Sequence, residues 1–176
     1  RHHDGASWHQ GKIDTEGLSG SRNSLDINPV TSLPGVVYTG QEGETLKYAE
    51  WNGTSWTPVV VARDVPYSYN SLRYDSEGQP RIAFVDASQN LIYVRREADT
   101  WLEEVVAEGV SDHAPVRLEL DAEDEAHLAY AAEEDVEDPL GSEYTLSYAF
   151  QNRQDWTHLP IVARNRSVET GQAYDF

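Results

Sequence analysis

The 176 residues include no cysteine. That excludes a disulfide framework, a thiolate zinc site and a cysteine nucleophile. There is no methionine either, so the expectation is a processed, trimmed or partial form of a longer chain. Basic residues are scarce: 13 Lys and Arg stand against 31 Asp and Glu, a formal net charge of -18. Such a field repels phosphate backbones and anionic lipid surfaces, so neither nucleic acid nor membrane is an expected partner. No apolar run approaches the roughly 18 residues of a membrane span. No signal peptide stands at Arg1. Gly-x-Ser-x-Gly, phosphate-loop and dinucleotide motifs are all missing, so no catalytic residue is assigned.

What is present is a repeat. Trp8, Trp56, Trp101 and Trp156 lie 48, 45 and 55 residues apart in similar contexts, such as TSWTPVVVA and QDWTHLPIVA. About 15 residues after each comes a second element: NSLDIN, NSLRYD, VRLELD and QAYDF. A third follows as PGVVYTG, PRIAFVD and AHLAYAA, and a fourth as TLKYAEW, NLIYVRR and TLSYAFQ. Each is short, alternating and rich in Val, Ile, Tyr and Phe, which is the strand pattern. The connectors carry turn chemistry, as at Asn52-Gly53 and Asp75-Ser76-Glu77-Gly78. Nothing longer than a turn has helical period. The chain is therefore expected to be all-β, with four antiparallel strands per repeat, a to d from the axis outward. That is the pattern of a β-propeller blade.

On this reading three complete blades run over about 22–62, 68–109 and 114–163. A lone d strand at 8–14 and a lone a strand at 173–176 belong to neighbouring blades. Three blades do not close a ring of four to eight. The expected partner is thus the remainder of the propeller, on the same or another chain, with association of copies as the alternative. The phrases SLRYDSEGQPRIAFVD, LIYVRR and LKYAEWNGTSW resemble the repeats of secreted bacterial BNR, or Asp-box, sialidase-like propellers. The resemblance implies a propeller in a secreted or surface-exposed protein. The Asp-box pattern Ser-x-Asp-x-Gly-x-x-Trp itself is not met, and Asp75-Ser76-Glu77-Gly78 only stands at a similar turn.

Propellers bind at the channel mouth, on loops joining d to the next a. There the repeat places Arg22, Asn23, Tyr67, Tyr69, Asn70 and His113. Tyrosine rings stack on sugar faces and carboxamides hydrogen-bond hydroxyls, which suits a glycan or a polar protein ligand. The same residues also suit strand capping and channel filling. An acidic insertion, Glu133-Glu134-Asp135-Val136-Glu137-Asp138, breaks the repeat. Its alternating Asp135, Glu137 and Asp138 could gather oxygen ligands for Ca2+, or form a solvated loop. The function expected is a non-catalytic binding module on a propeller scaffold. The alternatives are part of a sialidase-like glycoside hydrolase or lyase, and a structural segment of a larger surface assembly.

Overall fold

The computed structural model describes residues 2–3, 7–16, 20–40, 44–66, 69–111, 114–134, 143–153 and 155–162. Among them there is no helix, and hence none long and apolar enough to cross a membrane. The chain forms three four-stranded antiparallel sheets in sequence order. The first is β3 (Ser21–Ile27), β4 (Pro34–Gly40), β5 (Thr45–Trp51) and β6 (Trp56–Arg63). The second is β7 (Asn70–Tyr74), β8 (Pro80–Val85), β9 (Leu91–Glu97) and β10 (Thr100–Ala107). The third is β11 (Arg117–Leu120), β12 (Ala126–Glu134), β13 (Glu143–Asn152) and β14 (Asp155–Val162). Two short strands, β1 (His2–His3) and β2 (Trp8–His9), pair with each other.

One residue type closes the hairpins. Asn28, Asp75 and Asp121 stand at the same repeat position between the first two strands of their sheets. Each Oδ1 accepts two backbone N–H groups of its turn, for Asp75 those of Glu77 and Gln79 at 3.1 and 2.7 Å. Asn52 and Asp86 do the same in later turns. These short polar side chains replace backbone acceptors that the turn lacks.

The sheets stand side by side through β3, β7 and β11, in a propeller-like arrangement. Ser24 Oγ accepts the Leu72 N–H at 3.1 Å, and Ser71 Oγ accepts that of Leu118 at 3.1 Å. Asp26 Oδ2 accepts the Tyr74 N–H at 2.9 Å. Two apolar clusters fill the junctions. One joins Val37, Leu46, Tyr48 and Val61 to Leu72, Ile82 and Phe84. The other joins Ala83, Leu91, Tyr93 and Val106 to Leu118, Leu128 and Tyr130. In each, a tyrosine of one sheet meets the strand-opening tryptophan of the next edge-on: Tyr48 with Trp101 at 5.6 Å, Tyr93 with Trp156 at 5.4 Å. Tyr48 and Tyr74 also share a buried hydroxyl contact at 2.6 Å. Burial pushes the Tyr74 hydroxyl up to about 12, so the pair stays neutral.

The strand expected over residues 8–14 is strand only at Trp8–His9. Residues 10–16 lie instead against the first sheet, held by side chains. Ile13 packs with Trp56 on the cluster of Val36, Tyr38 and Ala49. Asp14 Oδ2 accepts from Lys47 Nζ and from the Tyr38 hydroxyl, both at 2.9 Å. Ile13 is five residues beyond Trp8, as Val61 is beyond Trp56 and Val106 beyond Trp101. It therefore packs on the first sheet much as those valines, in the junction clusters, pack on the second and third. The a strand expected at 173–176 lies outside the described residues.

Two outcomes follow. Burial works to raise the Asp14 carboxyl, but the Glu16 N–H, Lys47 and Tyr38 outweigh it and hold it at about 2. A folded value below the free one stabilises above about pH 4 and is lost as pH falls toward 2, here ~2 kcal/mol. Urea unfolding across that window will show this slope, and Asp14→Asn will remove it. At Gly35 a Cβ would overlap the Tyr74 hydroxyl and stand 2.9 Å from its Cζ and 3.2 Å from Tyr48 Cε2. Gly35→Ala will cost ~1–3 kcal/mol by overpacking, and less in a Tyr74→Phe background.

Candidate functional site

The sequence-derived site is brought together in part. Arg22 sits at a bulge of β3, where the pairing shifts between Ser21 and Ser24, with φ at 47°. Its guanidinium lies 4.0 Å from the centroid of the Tyr69 ring, a cation–π contact. Its carbonyl accepts a hydrogen bond from Asn70 Nδ2. Asn70 is buried, and its Oδ1 has no partner among the described residues. Asn23 turns back to donate to the Gly20 carbonyl at 3.0 Å. Arg22, Tyr69 and Asn70 thus make one corner between the first and second sheets. Tyr67 and His113, and the candidate Ca2+ ligands Asp135, Glu137 and Asp138, lie outside the described residues. Among the described residues no group of three His, Asp or Glu side chains could hold a metal.

A second arrangement was not anticipated. Arg73, Arg81 and Arg95 are direct cross-strand neighbours on β7, β8 and β9. Like charges directly opposite are destabilising, so such a row needs compensation. Each arginine has a carboxylate. Arg73 Nε donates to Glu119 Oε2 of the third sheet at 2.8 Å, and this guanidinium holds the Glu119 carboxyl below its ordinary value. Arg81 Nη2 donates to buried Asp75 Oδ2 at 2.7 Å, and Arg95 Nε stands 3.4 Å from Glu97 Oε1. Arg81 and Arg95 line an open cleft of about 610 Å3 together with Arg96, Asp75, Glu77 and Glu97. Its charges balance, three against three. Arg81 Nε is buried there with no partner among the described residues.

Among the described residues the cleft is offered once. At the same repeat position as Arg81 the first sheet has Gly35, covered by Tyr74, and the third has His127. His127 Nε2 faces Asp121 Oδ2 at 3.2 Å, the counterpart of the Arg81–Asp75 pair. Placing the registers of NSLRYD, PRIAFVD and LIYVRR side by side would have revealed the arginine row. The burial of Arg81 Nε had no sequence signal.

No protein-family model matches the chain, and no curated protein matches it in sequence. Nothing therefore supports the Asp-box group specifically. Solved structures do match. A fucose lectin from Kordia zhangzhouensis, in complex with methyl-fucoside, aligns over 77% of this chain and 96% of its own, at 13% identity and a TM-score of 0.52. The SapL1 lectin, in complex with alpha methyl fucoside, aligns over 88% of this chain and 68% of its own, at 15% identity and 0.60. An AofleA variant from Arthrobotrys oligospora, with three arginines replaced by alanine, aligns over 92% of this chain and 49% of its own, at 11% and 0.61. The likeness is one of fold. The chain spans about half the length of AofleA but nearly all of the Kordia lectin.

Asp75 supports both turn and cleft. Asp75→Ala will lower stability by ~2–3 kcal/mol, since two N–H groups and Arg81 lose their acceptor. Asp75→Asn will cost less, because an amide oxygen closes the same turn at Asn28. Thermal unfolding of the two variants will give that order.

Proposed function

We propose that this chain is a non-catalytic carbohydrate-binding module, made of successive propeller blades, and that it takes a glycan in the Arg81 cleft. The observation that carries the reading is the open cleft of balanced charge, lined by Arg81, Arg95 and Arg96 against Asp75, Glu77 and Glu97. A cleft with three guanidinium groups and three carboxylates offers both donors and acceptors without a net field. That suits the hydroxyls of a neutral sugar, each of which donates and accepts. The fold shared with lectins supports the same reading. The corner of Arg22, Tyr69 and Asn70, with Asn23 beside it, is a second contact point, where Asn70 Oδ1 awaits a donor. The ring itself is completed by further blades from outside the described residues.

A glycan array, followed by calorimetry with methyl fucoside and other neutral and acidic monosaccharides, tests this. A neutral sugar will bind, with an affinity little changed by added salt. Arg81→Ala will weaken it about tenfold or more, the effect of losing one donor to the ligand. Absence of binding to any saccharide by the folded chain sinks the proposal. Unaltered affinity in Arg81→Ala moves the site elsewhere.

A further inference from the structure

The hairpins β5–β6, β9–β10 and β13–β14 share one backbone plan. Trp51 and Trp56, Arg96 and Trp101, and Gln151 and Trp156 each flank four residues. The second of those four stands in the left-handed region every time: Gly53 at φ 94°, Ala98 at 52° and Arg153 at 64°. Only the first hairpin places an asparagine before a glycine there, and that pair, Asn52-Gly53, is exposed. Asn52 Oδ1 accepts the Thr54 N–H at 2.9 Å and the Ser55 N–H at 2.8 Å. Asn52 Nδ2 donates to Ser55 Oγ at 3.2 Å. The Gly53 N–H stands outside this bonding, and a Cβ at Gly53 would meet nothing within 4 Å.

We propose that Asn52 is a site of self-modification, which deamidates through a succinimide with water as the only co-reactant. Gly53 N gives its proton to solvent hydroxide and bonds to Asn52 Cγ. Negative charge then develops on Oδ1, where two backbone N–H groups already point, the arrangement that stabilises an oxyanion. The Cγ–Nδ2 bond breaks and Nδ2 leaves as ammonia, its third hydrogen returned by solvent. Ser55 Oγ, already beside Nδ2, is placed to relay that proton. One water next opens the ring. Breaking the bond from Gly53 N to Cγ leaves aspartate at 52. Breaking the bond from Gly53 N to the main-chain carbonyl carbon leaves isoaspartate, with the chain running through Cγ. Either way an amide and water become a carboxylate and ammonia, with no change of oxidation state.

Other described asparagines lack one part or another of this arrangement. Asn28 precedes proline, which has no N–H to give up. Ser24, Ser71 and Leu91, which follow asparagines, are held in β3, β7 and β9. After Asn152, the Arg153 N–H donates to Glu125 Oε1 at 3.3 Å, and position 153 carries a side chain where Gly53 has none. The two products differ in effect. Aspartate keeps the turn, since Asp75 and Asp86 close theirs through the same Oδ1 pattern. Isoaspartate lengthens the main chain by one methylene in a hairpin whose register the turn fixes. Trp51 and Trp56 pair across that hairpin with centroids 5.6 Å apart, and Trp56 packs on Val36, Tyr38 and Ala49. The modification thus adds a negative charge and loosens the outer edge of the first sheet.

The test ages the full chain at physiological temperature and neutral pH. Trypsin then frees residues 48–63, in which Asn52 has the only amide side chain. That peptide will gain about 1 Da with time. The product will be isoaspartate together with aspartate, and it will form faster as pH rises, because Gly53 N must lose its proton. Residues 118–153, which carry Asn152, will gain the same mass about tenfold or more slowly. In NMR of the aged protein the isoaspartate form will shift the Trp51 and Trp56 indoles and leave Trp101 and Trp156 in place. Asn52→Asp will gain no mass in 48–63 and will keep the indole resonances of the fresh protein. An unchanged mass in 48–63, or equal rates at Asn52 and Asn152, overturns the proposal. So does aspartate without isoaspartate, which marks direct hydrolysis with no succinimide.

Discussion

The first and second sheets each bury an apolar face against the sheet that follows, and neither of those faces can be left to water. That constraint organises the rest. A sheet buried on both sides loses strict alternation, and β4, β5 and β8 are buried at most of their positions. The junction must then be built from pairs that fit only in one order. A tyrosine on the covered face meets a tryptophan that opens the next sheet's outer strand. A serine on the inner strand accepts a backbone N–H from the next inner strand. The repeat in the sequence is the repeat of this junction, and the spacing of the tryptophans is its period.

The first sheet shows what happens where a preceding sheet would stand. At the position of Ile92 in the second sheet it carries Lys47, buried to 7% side-chain exposure. A lone buried ammonium would cost far more than an isoleucine gains. Asp14 answers that cost, with Tyr38 as a third member, and residues 10–16 are fixed in place by it. Ion pairing here does little for net stability compared with an apolar pair of similar volume. It does specify which segment covers this face. The valine and isoleucine at the same distance from each tryptophan then complete the cover in a common way.

The sheets and their order were legible because strand alternation, Asx turns and the tryptophan period all point the same way. The turn at Asp75 was visible as a turn, but its second task, holding Arg81, was not. Convergence of Arg22 with Tyr69 and Asn70 could be read from repeat alignment, since all three fall at the start of inner strands. The strand at 8–14 was misread beyond His9. Its composition matches an outer strand, yet the described residues offer no third-strand neighbour to pair with, and side-chain contacts with the first sheet set its path. Sequence patterns report propensity and spacing, and a partner's absence leaves no mark in them.

The three sheets diverge most at one repeat position. Gly35 makes room for Tyr74, so that junction is closed by packing. His127 stacks among the aromatic rings of its own sheet. Arg81 is the member whose neighbours on both adjacent strands are also arginine, an arrangement that folding alone disfavours. Two of its neighbours' charges are met by Glu119 and Glu97, and its own by Asp75, yet one buried N–H is left over. The row breaks a local rule and meets each charge with a carboxylate, the kind of departure that functional sites carry. That the position holds an arginine, supported by a buried aspartate, is the physical case for a ligand there.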